Sequence, residues 1–325
     1  MTIAPGVASW QAPIVVTLKE LGRWTEGRYE GEPAGDLEVV DAERYLDLAY
    51  LREAVARARS IQAPASRSEG DHGFSDEAEP DLRIAVSRFT RHAASVSAAA
   101  FAALGRGVGL DVSASNVRFV IRGNVPFIAS VRSDGTPPLR CRERPTSWPI
   151  DGPMVDTVDE LRAYVWRKLY AEHLAPLFAR ALELTWVSPR LMWSNAAEWV
   201  AIVSDAADEY LDPRAAEPFV ADRIALLGTS SLPGLDGENP MKDLMTWDPF
   251  NAPDFPNGVG RRRICCLTYM LEDRLGRLCG NCTFLSLDER IAMVREEHGV
   301  PMGAPGGPAQ ARAIAVGRRK LGLPA

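Results

Sequence analysis

Residues 157–184 read TVDELRAYVWRKLYAEHLAPLFARALEL, and this stretch decides the fold class. Thr157 is followed three residues later by Glu160, a pattern that is typical of a capping box at the start of a helix. The apolar side chains that follow recur at helical spacing, namely Leu161, Val165, Leu169, Leu177, Ala181 and Leu184. Such spacing places an apolar stripe along one side of a helix. The sequence therefore predicts a long amphipathic helix here.

Helical periodicity continues on both sides of this stretch. Further helices are predicted over residues 41–59, over 84–104 with a stop at Gly105, from Ser188-Pro189 onward, and over 217–227. Two β-type runs, residues 117–121 and 126–131, flank Arg122-Gly123-Asn124 and predict a β-hairpin. Long helices with at least one antiparallel hairpin indicate an α+β fold that is mainly helical.

Changes in composition divide the chain into regions. Residues 64–80 are rich in Ser, Gly, Asp and Glu and have almost no apolar side chains, which is typical of a solvated linker. We expect an N-terminal helical region with this linker, a mainly helical α+β scaffold, a small cysteine-rich segment and a C-terminal extension with no assigned role. These regions are residues 1–80, 81–260, 261–288 and 289–325.

The overall composition excludes several classes of protein. The chain has 325 residues, 46% hydrophobic content and a formal net charge of -6, so it can bury a sizeable core but has no basic stripe for nucleic acid. Residues 1–11 lack the basic start and apolar run of a secretory signal, and no apolar stretch reaches the ~18 residues of a membrane span. We therefore expect a cytoplasmic protein that does not span a membrane.

Four of the five cysteines lie in one short segment, as Cys265-Cys266 and Cys279-Gly280-Asn281-Cys282. Thiols gathered in a reducing compartment usually bind metal rather than form disulfides. The second pair can converge on a metal from a tight turn, which Gly280 permits. The adjacent first pair fits neither a zinc ribbon nor the common ferredoxin spacings, so spacing alone leaves iron-sulfur and zinc open. Cys141 stands apart, and we expect it to be an ordinary thiol.

The Cys-Cys pair, the short gap and the closing Cys-Gly-Asn-Cys-Thr resemble the C-terminal signature of the FhuF-type ferric siderophore reductases. Weaker similarity extends through residues 191–196 and 87–131. The resemblance implies a 2Fe-2S cluster, whose ligands would be Cys265, Cys266, Cys279 and Cys282. It also implies a cytoplasmic enzyme that reduces iron chelated by hydroxamate or related siderophores, on a scaffold similar to the helical domain of siderophore synthetases.

The chemistry of ferric complexes agrees with this interpretation. Hydroxamate and catecholate oxygens are hard donors that favour ferric iron, so adding one electron weakens the complex and lets the metal leave. Residues 105–109, Gly-Arg-Gly-Val-Gly, follow a predicted helix rather than a strand, which argues against a dinucleotide loop. We therefore expect an external electron donor such as a ferredoxin or a flavoprotein.

Two alternative functions stay open from the sequence. The same four thiolates could bind zinc in a structural or interaction protein. The chain could also keep the cluster and act as an electron carrier or redox sensor.

A few further residues are candidates for the site. Trp193, Asn195 and Arg263 are possible substrate-binding residues, Trp193 through its apolar face and Asn195 through hydrogen bonds. Five arginines could stabilise a reduced cluster or simply aid solubility: Arg261, Arg262, Arg263, Arg274 and Arg277. The scattered histidines receive no role: His72, His92, His173 and His298. Asp205, Asp208 and Glu209 are expected to form a solvated helix end.

Overall fold

Apolar faces of α-helices supply most of the core in the computed structural model, which describes residues 38–60, 82–122, 125–131, 136–148, 150–248, 258–267, 278–290 and 292. The α-helices within this part of the chain are α1 Leu48–Ser60, α2 Leu82–Ala93, α3 Val96–Gly105, α4 Val158–Trp166, α5 Ala175–Leu184, α6 Pro189–Tyr210 and α7 Pro213–Gly228. The mixed, mainly helical α+β class predicted from the sequence is confirmed. None of the helices in the described ranges is both long enough and apolar enough to cross a bilayer.

The strands are short and form small sheets. They are β1 Val39–Asp41, β2 Val108–Gly109, β3 Val117–Arg122, β4 Val125–Val131, β5 Leu139–Cys141, β6 Met154–Val155, β7 Met245–Asp248 and β8 Val259–Arg262. The first sheet has the order β1-β3-β4 and is antiparallel, and the second has the order β2-β5-β6, in which β5 and β6 are parallel. β7 and β8 form a separate antiparallel pair.

The stretch that opened the sequence analysis is helical throughout. Thr157 and Glu160 form the predicted capping box, because the Thr157 hydroxyl accepts from the backbone N–H of Glu160 and the Glu160 carboxylate accepts from the backbone N–H of Thr157. Between α4 and α5 the helix widens into a π-helix, Arg167–Leu174. The apolar face predicted from the spacing is buried, with Leu161, Val165 and Leu169 all fully inaccessible.

Two predicted helices are shorter or more broken than their periodicity indicated. Residues 41–46 form the end of β1 and a 3-10 turn, and α1 begins after Asp47, whose carboxylate accepts from the backbone N–H of Tyr50 at 2.8 Å. Residues 84–104 form two helices, because Ser97 and Ala98 donate to carbonyls three residues back, at Ala94 and Ser95. These turn bonds replace the helical ladder where α2 ends.

The predicted hairpin is confirmed as β3 and β4. Val117 pairs with Val131, and the register shifts between Val120 and Ile121. The turn residues 123 and 124 and the predicted linker 64–80 lie outside the described residues. Gly107 follows α3 with φ 77°, and a Cβ there would meet the Arg144 carbonyl oxygen at 2.0 Å, so this glycine serves a tight turn.

The β7–β8 hairpin is the element that positions the cysteine segment. It packs against α6 through both strands, and α6 in turn packs against α2 and α7. β8 ends at Arg262, so the chain passes directly from this hairpin to Cys265 and Cys266. The hairpin therefore sets where the first two thiols lie on the helical scaffold.

Candidate metal centre

The structure brings the four clustered cysteines together against the scaffold. Cys265, Cys266 and Cys282 are buried, and Cys279 is half-buried. The Sγ atoms of Cys266 and Cys279 are 3.9 Å apart. Cys265 interacts electrostatically with both Cys266 and Cys282, so the four thiols, called the cysteine cluster below, lie near one another. Cys141 is a free, buried thiol on β5, outside this cluster.

The distance between Cys266 and Cys279 fits two ligands of one metal. A tetrahedral metal with bonds of about 2.3 Å to sulfur places its thiolates about 3.8 Å apart. No three His, Cys, Asp or Glu side chains in the described part of the chain are arranged around one point as a single metal ion requires. A two-iron cluster with four cysteine ligands needs two thiolates on each iron, and the close pair provides what one iron requires.

The backbone around the cysteines turns tightly and directs N–H groups at sulfur. Leu267 has φ 62°, unusual for a residue other than glycine, and its N–H donates to the Cys265 Sγ at 3.4 Å. The N–H of Phe284 donates to the Cys282 thiol, and the N–H of Cys282 donates to the Cys279 carbonyl at 2.9 Å. Hydrogen bonds to sulfur are a known way in which proteins tune iron-sulfur sites.

A buried carboxylate between two arginines lies next to this cluster, and we call Arg91, Glu198 and Arg262 the cysteine-side triad. Arg91 on α2 donates to both oxygens of Glu198 on α6, through Nε at 2.6 Å and Nη2 at 2.8 Å. Arg262, the last residue of β8, donates to the same carboxylate through Nη1 at 2.8 Å. Burial alone would raise the pKa of Glu198, but Arg91 and Arg262 outweigh it and lower the pKa to about 2.

Amide and hydroxyl groups connect the triad to the cysteine loops. Asn281, which lies between Cys279 and Cys282, donates its Nδ2 to Glu198 at 3.1 Å. Arg262 donates its Nη2 to the Asn195 Oδ1 at 2.6 Å and its backbone N–H to the Asn281 carbonyl at 2.9 Å. Ser87 on α2 donates its hydroxyl to the Cys266 carbonyl at 2.5 Å. Scaffold and cysteine segment thus share one buried polar network.

The thiols respond unequally to these surroundings. Burial raises the pKa of Cys265 to about 12 and that of Cys282 to about 11. The pKa of Cys266 is lowered, first by its hydrogen bond with Cys279 and then by the charges of Arg262 and Arg91. Cys266 and Cys279 form a coupled pair, and the charge of Arg91 favours a thiolate, the form that binds metal, at both thiols.

Arg290 closes the segment on its C-terminal side. Its guanidinium is fully buried and donates to the Gly280 carbonyl at 3.2 Å and to the Gly260 carbonyl at 2.8 Å. It also forms an ion pair with Asp248 on β7. Arg290 falls within the extension predicted at 289–325, whose residues beyond 292 lie outside the described part. Its contacts place it structurally with the cysteine segment.

Asp205 anchors the hairpin to α6, which corrects the prediction of a solvated helix end. Its carboxylate accepts from Trp247 Nε1 on β7 at 2.8 Å and from the Gly260 N–H on β8 at 3.0 Å. Burial raises the pKa of Asp205 to about 6 despite these bonds. Asp208 is also largely buried and lies 3.8 Å from Arg223. Sequence reasoning failed here because the hairpin that covers these carboxylates is distant along the chain.

The predicted substrate residues lie in different surroundings. Trp193 is half-buried, stacked on Tyr170 with ring centroids 5.2 Å apart and packed edge-on against Phe178. Asn195 has no exposed surface, so a substrate could reach it only after the network rearranged. Arg263 is exposed beside the cysteine cluster. The substrate role of these three residues stays a prediction.

The arginines predicted to affect a reduced cluster also differ. Arg262 lies in the triad, Arg261 pairs with Asp248 at 3.0 Å, and Arg274 and Arg277 lie outside the described residues. Sequence reasoning missed Arg91 and Glu198. The signal was a set of polar residues at helical spacing on otherwise apolar helix faces, Ser87 with Arg91 and Asn195 with Glu198.

The helical scaffold on which the cysteine cluster lies is similar to a known protein family. The family described as Ferric iron reductase FhuF-like transporter matches residues 86–246. This part of the chain belongs to the FhuF-like family. The FhuF-like region contains Arg91, Asn195 and Glu198, and it ends before Arg262 and the four clustered cysteines. A search of curated proteins finds no match to the chain.

Proposed function

We propose that the protein is a cytoplasmic ferric-siderophore reductase that holds a 2Fe-2S cluster on Cys265, Cys266, Cys279 and Cys282. The observation that carries the proposal is that these thiols are gathered directly on a FhuF-like scaffold. The family is one of ferric iron reductases, and four thiolates supply the complete ligand set of a 2Fe-2S cluster. The scaffold's likeness to the helical domain of siderophore synthetases stays a prediction.

Within this proposal, Cys266 and Cys279 would hold one iron, and Cys265 and Cys282 would hold the other. The first pair is supported by the 3.9 Å distance between its sulfur atoms. Members of the second pair interact electrostatically, and each accepts a backbone N–H at sulfur. When bound, a 2Fe-2S cluster takes up and gives away one electron at a time.

The residues around the thiols protect and orient the site. The buried side chains of Cys265, Cys266 and Cys282 keep water away from one side, and the half-buried Cys279 leaves the other side closer to solvent. Arg263, two residues before Cys265, is exposed and can attract an anionic ferric complex. An external donor of the ferredoxin or flavoprotein class supplies the electron. The substrate gains that electron, and the resulting ferrous iron is held less tightly by hard oxygen donors such as hydroxamates.

Removal of single thiols tests the cluster. Protein purified without oxygen should be red-brown and contain iron and acid-labile sulfide in equal amounts. Changing any of the four clustered cysteines to Ala should strip or badly destabilise the cluster. Cys141→Ala is the matched control, because that thiol is buried like Cys265, Cys266 and Cys282 but lies on β5. Loss of the cluster in the Cys141 variant would contradict the assigned ligands.

Direct electron transfer tests the reaction. The protein is reduced anaerobically, freed of excess reductant and mixed with ferric complexes of hydroxamate, catecholate and carboxylate siderophores in the presence of a ferrous chelator. Reoxidation of the cluster and formation of the ferrous chelate should rise together. We expect hydroxamate complexes to react best. A cluster that reacts with a small artificial oxidant but with none of these complexes would contradict the reductase proposal.

The same measurements separate the two alternatives. A colourless protein that contains zinc would instead be a structural or interaction protein with a four-cysteine site. A protein with a reversible cluster and no reaction with ferric siderophores would be an electron carrier or a redox sensor.

A further inference from the structure

We infer that Arg91 and Glu198 are positioning residues that set the reduction potential of the cysteine-bound cluster from the scaffold side. Neither residue belongs to the cysteine motif, and neither can bind the cluster from its place in the triad. This inference rests on the proposed 2Fe-2S cluster. It goes further because it assigns a redox role to two residues of α2 and α6.

Both residues lie close enough to the thiols to interact with them electrostatically. Arg91 interacts electrostatically with Cys266 and Cys279, the pair with the 3.9 Å separation. Glu198 interacts with Cys266, Cys279 and Cys282, and it accepts a hydrogen bond from Asn281 in the intervening loop. These groups are almost entirely buried, with side-chain exposures of 10% for Arg91 and 2% for Glu198. Salt therefore screens their charges only weakly.

The signs of the charges predict opposite effects. Reduction adds one negative charge to the cluster. A nearby positive charge stabilises the reduced form and raises the potential, whereas a negative charge destabilises it and lowers the potential. Arg91 and Arg262 together outnumber Glu198, so the triad contributes a net positive charge beneath the cysteines.

The chain offers a matched control. Asp222 on α7 is a second fully buried carboxylate held by two arginines, Arg144 at 2.5 Å and Arg162 at 2.8 Å. Its partners lie in the loop after β5 and on α4, so this scaffold triad connects parts of the helical scaffold. Changing it perturbs a similar buried ion network without changing the groups that contact the cysteine loops.

The test compares midpoint potentials of the cluster-loaded protein for Arg91→Gln, Glu198→Gln and Asp222→Asn. Potentials are read by anaerobic titration with visible absorption and electron paramagnetic resonance, alongside iron and sulfide content. We expect a lower potential for Arg91→Gln and a higher one for Glu198→Gln. Each shift should correspond to about a tenfold change in the equilibrium constant, or about 59 mV for one electron. Asp222→Asn should leave the potential unchanged.

Two further variants test the inference if a single Gln variant does not fold. Arg91→Lys keeps the charge and should keep the wild-type potential. The double variant Arg91→Gln with Glu198→Gln removes one charge of each sign, so the net charge of the triad, carried by Arg262, is unchanged and its potential should lie between those of the two single variants. If any pair of loaded variants that differ in one triad charge has the same potential, or if the shifts have the wrong sign, the inference is overturned.

Failure of the inference can be distinguished from failure of the proposed function. Unmoved potentials in red-brown protein that still reduces ferric siderophores overturn the inference alone. Shifts of the expected signs in protein that reduces no siderophore support the inference and contradict the reductase proposal. Zinc without iron in the wild-type protein overturns both.

Discussion

Two buried carboxylates in this protein are held in almost the same way and differ in what lies beside them. Glu198 accepts from Arg91 and Arg262, and Asp222 accepts from Arg144 and Arg162. The scaffold triad of Asp222 connects α4, α7 and the loop after β5. The cysteine-side triad of Glu198 connects α2, α6 and β8. Its carboxylate also accepts a hydrogen bond from the side-chain amide of Asn281, which lies between Cys279 and Cys282. Similar ion networks thus lie in two different surroundings, one within the helical scaffold and one beside the cysteine loops.

The largest expected effect comes from removing either carboxylate. Glu198→Ala and Asp222→Ala should each lower the free energy of unfolding by about 3–5 kcal/mol, because two buried or largely buried guanidinium groups lose their counter-charge. Urea unfolding followed by circular dichroism measures this loss. At equal loss of stability, Glu198→Ala should also lose iron, whereas Asp222→Ala should retain it. Equal loss of iron in both variants would remove the distinction between the two triads.

The next effect is a dependence on pH. The pKa of Glu198 is about 2, below its ordinary value of 4.5, so the unfolded chain takes up its proton first as the pH falls. Ionised Glu198 therefore stabilises the folded protein above pH 4.5. Its contribution to the free energy of unfolding, about 3 kcal/mol in total, is lost as the pH falls toward 2.

Unfolding of metal-free protein over this range checks the sign. Glu198→Gln should flatten the stability profile between pH 4.5 and 2. His173 contributes to stability separately, because burial lowers its pKa from 6.5 to about 4. Its contribution to the free energy of unfolding is lost as the pH falls from 6.5 to 4. A profile for Glu198→Gln as steep as that of the wild type below pH 4.5 would contradict this assignment.

A smaller effect is expected from the amide that distinguishes the two triads. Asn281→Ala removes the hydrogen bond to Glu198, and bonds to charged groups contribute about 1.5–3 kcal/mol. Cluster loss on exposure to chelator should accelerate. Asn239→Ala is the control, because its buried amide donates to the Leu226 carbonyl at 2.5 Å within the scaffold. If both variants lose iron equally fast, the Asn281 link has no special role.

The smallest effect is expected at the start of α4. Thr157→Ala removes half of the capping box, and such caps contribute about 1 kcal/mol. Thermal unfolding should show this loss. The potential and iron content should be unchanged, since the cap stabilises the scaffold far along the chain from the cysteines. A changed potential would mean that general loss of scaffold stability reaches the cluster, and the comparison of the triads would then lose its force.

The sequence predicted local features better than long-range ones. The capping box, the β3–β4 hairpin and the helices from residue 157 onward follow from spacing and turn chemistry over a few residues. The break between α2 and α3 was missed, because both sides share one apolar periodicity and the break depends on local turn bonds.

The site shows the same limit. The four cysteines stand out because they are close in sequence, whereas Glu198 and Arg262 meet across 64 residues. A buried charge is evident from sequence only when its partner is known. For the same reason the sequence wrongly predicts that Asp205 and Asp208 are solvated.

The position of Arg290 late in the sequence sets the order in which the contacts around the cysteines can form. During synthesis the N-terminal part of a chain emerges first, so α2 and α6 leave the ribosome before any clustered cysteine does. Arg91 and Glu198 can therefore pair before the segment that contains the four cysteines has been synthesised. The cysteine loop gains its last contacts, to the Gly280 and Gly260 carbonyls, only when Arg290 has emerged. The contacts that close the cysteine loops are therefore the last of these to become available during synthesis.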